Sequence, residues 1–485
     1  LFLKDGSGGF RYIAVDIDAN YTRILNVITR IHEPSNHLVK KMAKKSSKTL
    51  ESGYDAIVVG AGIVGSYLAR RLAQDGHRVL LLDKRPKKEL GGWKNSGHNI
   101  DKRVFNDLPI EPPSESEIGA SVKYAQFRGP GKTFKFYLPM YNVRLGPFTR
   151  RVVDEAVRAG VKFQDRVKCI GVEVKAGKVV GIEAERSGKN VRFRARLVVD
   201  VSGIGAVVRN SLPEEFGIEK ALTLWDYLNV YAEDHEVDPA HWPVPFTYHT
   251  VMQGWSGPRR PGVVGLGLGR FAFTGEDPAA ACRELAREAL SVPSKVIFKT
   301  QARVPVRHPL HKLVAPGVMI LGDAAFQGKP LNGEGISVML YAAEMAAEVA
   351  GKALKDKDAS EKALWRYCTR YHREWGASFA PFHRLRYELL RFSKAEQRFM
   401  MGLGLYGPEE MSSIMLEGKL EMTPERMLNT IRAGWKAVVK PDIVIRLARA
   451  SIQGEKLKKL YERYPTDPKH LTEWAAQVDS LYNHD

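Results

Sequence analysis

Cysteine is nearly missing from this sequence: 485 residues hold three, Cys169, Cys282 and Cys368. Their spacing offers no CxxC pair and no Cys/His set, which excludes a disulfide framework and gives no reason to expect a metal; a reducing cytoplasm is the simplest setting. Long apolar runs are scarce as well. The longest, AIVVGAGIVGSYLA at 56–69, is broken by glycines and falls short of the ~20 residues that a membrane-crossing helix needs. Acidic side chains are in deficit, 55 Asp and Glu against 74 Lys and Arg, for a formal charge of +19. Nucleic acid or an anionic membrane surface would suit that charge, and charge by itself does not choose between them. With 44% hydrophobic and 27% charged residues the composition is otherwise that of a globular protein, long enough for two or three domains.

Residues 1–50 stand apart from the rest. The chain opens on Leu1, a more conventional start lies at Met42, and no secretory pattern is evident. Residues 1–41 read as an upstream extension or a mis-set start, and Lys40, Lys41, Lys44, Lys45 and Lys48 as a solvated tether.

The stretch YDAIVVGAGIVGSYLARRLAQDGHRVLLLDKRP, 54–86, is the most informative. An apolar strand at 56–59 meets Gly60, Gly62 and Gly65, a helix follows with Leu68, Leu72 and Ala73 on one side, and a second strand at 79–82 ends on Asp83. The first glycine permits a tight turn, the second lets the backbone approach a pyrophosphate, and the third lets helix and strand come close. Free N–H groups at the helix start would take the anion, and Asp83 would accept from a ribose. GLGLYG at 402–407 has the same letters, but a charged helical pattern precedes it and Pro408 follows. It reads as a turn between helices.

A second acid-tipped strand poses a question. GVMILGDAAFQGKPLNGEGI, 317–336, carries Asp323 at the end of an apolar run, where an unpaired carboxylate is costly. A third strand, RLVVDVSGIGAVVRNSL at 196–212, leads through Asp200 to Ser202 and Gly203. These three blocks together resemble the flavoprotein group of p-hydroxybenzoate hydroxylase and, more closely, the geranylgeranyl reductases. The resemblance covers roughly 54–350 and implies FAD, with Asp323 meeting ribityl hydroxyls. It extends the cofactor contacts from Gly60, Gly62, Gly65 and Asp83 to Lys84, Arg144, Val167, Gly203, Gly322, Asp323, Pro330, Gly333, Gly335 and Ile336. The loop 330–336 looks most like the reductases, which saturate polyprenyl double bonds of membrane-lipid or chlorophyll precursors.

Two departures stand out. The loop 91–105 has no cysteine where many such reductases carry one, and the PxxYxWxFP substrate motif is half kept: Pro245 and Tyr248 are present, Thr250 replaces the tryptophan, and Trp255 lies nearby. Tyr248 and Trp255 are therefore the expected substrate residues, lining a long apolar channel closed at the flavin end by the 91–103 loop. No proton donor is evident; His98 and Tyr248 are the candidates. Electrons would come from a ferredoxin-like protein or from NAD(P)H, since no second dinucleotide fingerprint exists. The helix at 381–394 places Phe382, Leu385, Leu389 and Phe392 on one face and reads as core-facing with a solvated back.

The expected architecture is α/β: a Rossmann-type FAD-binding domain, an antiparallel-sheet substrate domain and a helical C-terminal region. Residues 1–50 form the extension. The FAD-binding domain takes 51–220 and 300–350, with parts of the sheet domain interleaved from 105; the substrate sheet takes 221–299 and the helical domain 351–485. The resemblance implies an FAD-dependent oxidoreductase acting on isoprenoid lipid precursors, in the cytoplasm or peripheral on an anionic membrane, with no nucleic-acid partner. Two rivals remain open: a flavin monooxygenase or halogenase acting on a smaller substrate, and a non-enzymatic flavin electron carrier or RNA-binding flavoprotein.

Overall fold

The computed structural model describes residues 2–4, 10–12, 49–91, 97–129, 132–220, 223–241, 244–250, 253–290, 292–402, 407–418 and 440–482. The lysine group at 40–48 and Met42 lie outside the described residues, as do 92–96 and the middle of GLGLYG. In the first compact unit, 1–49, Phe2–Lys4 pairs antiparallel with Phe10–Tyr12. Everything below concerns the second unit, 50–485.

Its first sheet grows from strand β1 (Thr49–Val59), helix α1 (Ile63–Gln74) and strand β2 (Val79–Leu82). The two strands pair in parallel, Ala56 beside Val79 and Val59 beside Leu82. Their apolar residues are buried on both faces, as a covered parallel sheet requires. The chain then crosses to a second sheet with β3 (Gly97–Asp101), β4 (Ile118–Gly129) and β5 (Lys132–Arg144). Helix α2 (Leu145–Arg158) brings it back to β6 (Lys162–Gln164), β7 (Val167–Lys175), β8 (Lys178–Arg186) and β9 (Lys189–Asp200).

The second sheet is completed by β10 (Tyr227–Val237), β11 (Phe246–His249), β12 (Gly254–Arg260), β13 (Val263–Phe271) and, after helix α3 (Pro278–Ala289), β14 (Ser294–Pro305). Its order is β14-β10-β13-β12-β11-β4-β5-β3. All pairings are antiparallel except β11 with β4. The short strands β15 (Val314–Ala315) and β16 (Val318–Ile320) return to the first sheet, which runs β15-β16-β9-β1-β2-β6, with β8 beside β9 and β7 beside β8. The second sheet thus draws on 97–144 as well as on 227–305, because β3, β4 and β5 pair with its edge.

From Ile336 on the described residues are mostly helical, with α4 (Ile336–Lys355), α5 (Glu361–Tyr371), α6 (Ala377–Leu390), α7 (Pro408–Glu417), α8 (Pro441–Glu462) and α9 (Leu471–Tyr482) among the helices. The solvated back expected for the 381–394 helix is absent. In α6, Phe382, His383, Arg384, Arg386 and Glu388 are all buried, because α8 covers the polar side: Arg384 bonds Gln453 at 2.6 Å and Glu388 at 3.0 Å. Among the described residues no helix is long and apolar enough to cross a membrane.

Candidate functional site

Three turns meet at the carboxyl ends of β1, β9 and β16, and Val201 stands among them. Gly60 has φ +115°, and a Cβ there would lie 2.2 Å from the Val201 carbonyl oxygen. At Gly65 a Cβ would fall 2.1 Å from the Gly60 oxygen and 3.5 Å from Val201 Cβ. One at Gly322 would sit 3.6 Å from Val201 Cγ1. The fold itself therefore demands Gly60 and Gly65. Gly62 differs: a Cβ there meets nothing within 4 Å, although the residue caps α1 with no side-chain hydrogen bond to the helix. Open space beside uncapped N–H groups is a cradle that fits a pyrophosphate.

Asp83 closes the same region. Its carboxylate accepts from Ala61 N–H at 3.0 Å and from Arg85 N–H at 2.8 Å, so it ties the glycine loop to the end of β2. Val167 N–H donates to the Asp83 carbonyl at 2.9 Å and its side chain is buried, while Lys84 points to solvent. Arg144 caps α2 and donates to the Ser116 carbonyl at 2.9 Å; its side chain is exposed. Gly203, φ +73°, again has nothing within 4 Å of a Cβ.

Asp200 and Asp323 lie close along neighbouring strands, since Asp200 pairs with Ile320. Asp200 is buried but satisfied: it accepts from Ser202 N–H at 3.0 Å, Ser202 Oγ–H at 2.6 Å and Arg209 N–H at 2.7 Å. The half-buried carboxylate of Asp323 has no hydrogen bond or ion pair among the described residues. Burial pushes its pKa up to about 6. Its turn is held rigidly from behind, where Gln327 accepts from Gly322 N–H at 2.8 Å and donates to Tyr367 at 2.7 Å. An acid fixed in place without a partner fits a ligand that brings hydroxyl donors.

The chain continues through Pro330, Gly333 (φ +74°) and Gly335, which caps α4 without a side-chain hydrogen bond, to Ile336 at the start of that helix. Within this loop Glu334 is the residue that sequence reasoning missed. Tyr248 donates to its Oε1 at 2.8 Å, and Lys329 Nζ lies 3.6 Å from its Oε2. Its partner on β11, 86 positions away in sequence, left no local signal. Burial and the Glu334 charge hold the Tyr248 pKa well above its ordinary value, so ionising Tyr248 would set two negative charges side by side. It is poorly suited to give up a proton.

Trp255 stands directly across from Tyr248 in the β11–β12 register. It lies parallel to Phe246 at 6.4 Å, and the Arg259 guanidinium sits 4.7 Å above it. Glycines make the room: a Cβ at Gly267 would meet Trp255 at 2.8 Å and one at Gly265 would meet Arg259 at 2.0 Å. Arg259 is paired with Asp234 at 3.1 Å. His98, on β3 opposite Val143, has its pKa lowered to about 4 by burial and by Arg259.

Tyr248 and Trp255 pack on an apolar cluster with Phe246, Phe382, Ile414, Met415 and Leu331. Between that cluster and the 329–332 loop runs a crevice walled by Pro330, Leu331, Phe379, Phe382, Ile414 and Met415, with ≈ 10 Å³ of room. This crevice has neither the length of the channel expected from sequence nor Tyr248 or Trp255 in its walls.

Comparison with known proteins places this geometry. The NAD(P)-binding Rossmann-like domain pattern matches residues 58–110. The digeranylgeranylglycerophospholipid reductase of Sulfolobus acidocaldarius is 25% identical over 452 residues, 89% of this chain and 98% of its own. Digeranylgeranylglycerophospholipid reductase 2 of Methanopyrus kandleri is 30% identical over 343 residues, 67% of this chain and 84% of its own. Among solved structures, a geranylgeranyl bacteriochlorophyll reductase-like protein of Thermoplasma acidophilum superposes with TM-score 0.68 at 20% identity, covering 83% of this chain and 100% of its own. A myxobacterial FAD-dependent halogenase, CndH, reaches 0.60 at 18%, covering 89% and 97%. At such identities the two structures speak for the fold, which is that of flavin-dependent enzymes. The curated relatives, at their identity and coverage, go further: the chain belongs to the family of the digeranylgeranylglycerophospholipid reductases.

Proposed function

We propose that this protein is an FAD-dependent reductase that saturates isoprenoid double bonds in membrane-lipid precursors. The names of its relatives support the substrate class. One observation carries the reading to this chain: the apolar cluster holding Tyr248 and Trp255 abuts the loop that runs from Asp323 into α4. A greasy substrate seated there lies beside the group that Asp323 would hold.

In this reading Gly60, Gly62 and Gly65 with the α1 N-terminus take the pyrophosphate, and Asp83, Lys84 and Val167 border the adenosine end. Asp323 accepts ribityl hydroxyls, and the Gly203 turn, Arg144 and the 330–336 loop border the ring. A bound, reduced flavin would supply a hydride to one carbon of a double bond, and the other carbon would take a proton. Crevice walls from Leu331, Phe382 and Met415 hold the chain and exclude water. The Tyr248–Glu334 hydrogen bond fixes the 329–335 loop against β11, so it positions the two halves of the site relative to one another. A reductase needs an electron donor; the basic surface suits an acidic ferredoxin-like protein, with NAD(P)H docking as the alternative source.

The test is anaerobic turnover of a geranylgeranyl lipid by flavin-loaded protein with a chemical reductant, read by mass. A gain of two hydrogens per double bond supports the reading. Oxygen incorporated into product under air, with no saturation without it, would favour the monooxygenase rival instead.

A further inference from the structure

The basic surplus is laid out in an ordered way on α8. Ile443, Ala450, Gly454, Leu457 and Tyr461 of this helix are buried toward the protein. At 100° per residue, Pro441, Ile445, Arg449, Ile452, Lys456 and Lys459 fall within about 40° of a line on the opposite side. All six are exposed. The acids of the helix, Asp442, Glu455 and Glu462, fall outside that stripe. Among the described residues Arg449, Lys456 and Lys459 make no ion pair, and Ile445 and Ile452 are 50% and 59% open to solvent. A single exposed isoleucine needs no explanation. Two in line with three unpaired cations form the pattern of a helix that lies on an anionic interface, apolar side chains entering the headgroup boundary and cations meeting phosphates.

Its place in the fold gives the pattern a use. Helix α8 is clamped to α6 by Arg384 with Gln453 at 2.6 Å and by Arg446 with Glu388 at 3.3 Å. Gly454 lies against Pro381, to which a Cβ would come within 3.1 Å. Helix α6 in turn supplies Phe379 and Phe382 to the crevice. We propose that the outer face of α8 seats the enzyme on an anionic membrane surface. This rests on the reading of the substrate as a membrane lipid.

The test is sedimentation of the flavin-loaded full chain with vesicles of phosphatidylcholine containing about a third phosphatidylglycerol, against pure phosphatidylcholine. The wild type is expected to partition onto the anionic vesicles and to come off as salt rises. Arg449→Gln with Lys456→Gln should lower partition about 25-fold, at about fivefold per charge. Ile445→Ser with Ile452→Ser should lower it about tenfold. Flavin content and turnover of a detergent-dispersed isoprenoid should hold in both. Wild-type protein that ignores anionic vesicles, or variants that bind as well as it does, would overturn the proposal. So would variants that keep vesicle binding but lose electron uptake from an acidic protein donor, or that fall in oligomeric size, since the face would then take a protein. Turnover of dispersed isoprenoid without vesicle binding sinks the docking face alone; vesicle binding with no isoprenoid turnover sinks the substrate reading alone.

Discussion

Asp200 and Asp323 close neighbouring parallel strands, yet the Asp200 carboxylate accepts three hydrogen bonds from its own loop and the Asp323 carboxylate accepts none among the described residues. The glycine loop beside them divides the same way. Gly65 has a backbone oxygen 2.1 Å from where a Cβ would be, and Gly62 has nothing within 4 Å. In each pair one residue is tied into the fold and the other is left free of such ties among the described residues. Identical letters in a motif thus carry different obligations, and substitution should separate them.

The largest separation is expected at the glycines. Gly65→Ala drives a methyl group into the backbone of Gly60, which cannot yield as a flexible side chain could, so several kcal/mol of stability should be lost and soluble folded protein with it. Gly62→Ala should change the melting free energy of the flavin-free chain by less than about 1 kcal/mol while lowering flavin affinity at least about tenfold. Thermal melts with and without added FAD read both effects. Equal destabilisation in the two variants would erase the distinction.

The aspartates come next. Burial raises Asp323 from 3.8 to about 6, so the folded, flavin-free chain keeps a proton that the unfolded chain releases between about pH 4 and 6. Stability contributed there is present at low pH and declines as pH rises through that window. Asp323→Asn removes the cost of the buried charge and should stabilise the flavin-free protein at pH 7 by on the order of 2 kcal/mol. The same change should strip most of the flavin, because hydroxyl donors favour the ionised acid. Wild-type flavin affinity should accordingly climb as pH rises from 5 to 7. Asp200→Asn should do the reverse of stabilising, since it disturbs hydrogen bonds already made. A flavin-free Asp323→Asn protein that melts no higher than wild type would contradict the account.

A smaller effect joins the two sheets. Tyr248→Phe and Glu334→Ala each break one hydrogen bond, and the double variant should lose about 1 kcal/mol less in transition-state stabilisation than the sum of the singles. A positioning role predicts that kcat falls with flavin content unchanged. Strict additivity would show that the 2.8 Å contact couples nothing.

Why one end of the molecule was readable and the other was not follows from what fixes each residue. The strand, three glycines, helix and acid of 54–83 are set by a ligand of constant shape, so their spacing alone gives the β1–α1–β2 unit; the wider α/β architecture rests on the resemblance of three blocks, and the helical C-terminal region on the pattern after about residue 338. Glu334 and Arg259 act through partners across a sheet. Gly265 and Gly267 read as a glycine-rich strand, but that they make slots for Arg259 and Trp255 depends on a register that sequence does not state. The solvated back expected of α6 fails for a similar reason: Arg384 and Glu388 look like surface residues until α8 supplies Gln453 and Arg446.

The smallest effect is expected at His98. A histidine near a flavin invites the role of proton donor, but at a pKa of about 4, lowered first by burial and then by Arg259, only about one molecule in a thousand carries the second proton at pH 7. The backbone of His98 pairs β3 with β5 opposite Val143, and the neutral ring can fill its place without titrating. His98→Gln, which keeps a polar planar group there, should therefore change turnover by less than about threefold, and the pH–rate profile between pH 6 and 8 should keep its shape. Arg259→Met supplies the complementary arm: removing the neighbouring positive charge should let the imidazole pKa rise, followed by the His98 proton resonances in a titration. If His98→Gln instead abolished turnover and removed an inflection near neutrality, the histidine would be titrating in the working enzyme, and the positive field of Arg259 would have to be cancelled there by a negative charge that arrives with the substrate or the cofactor.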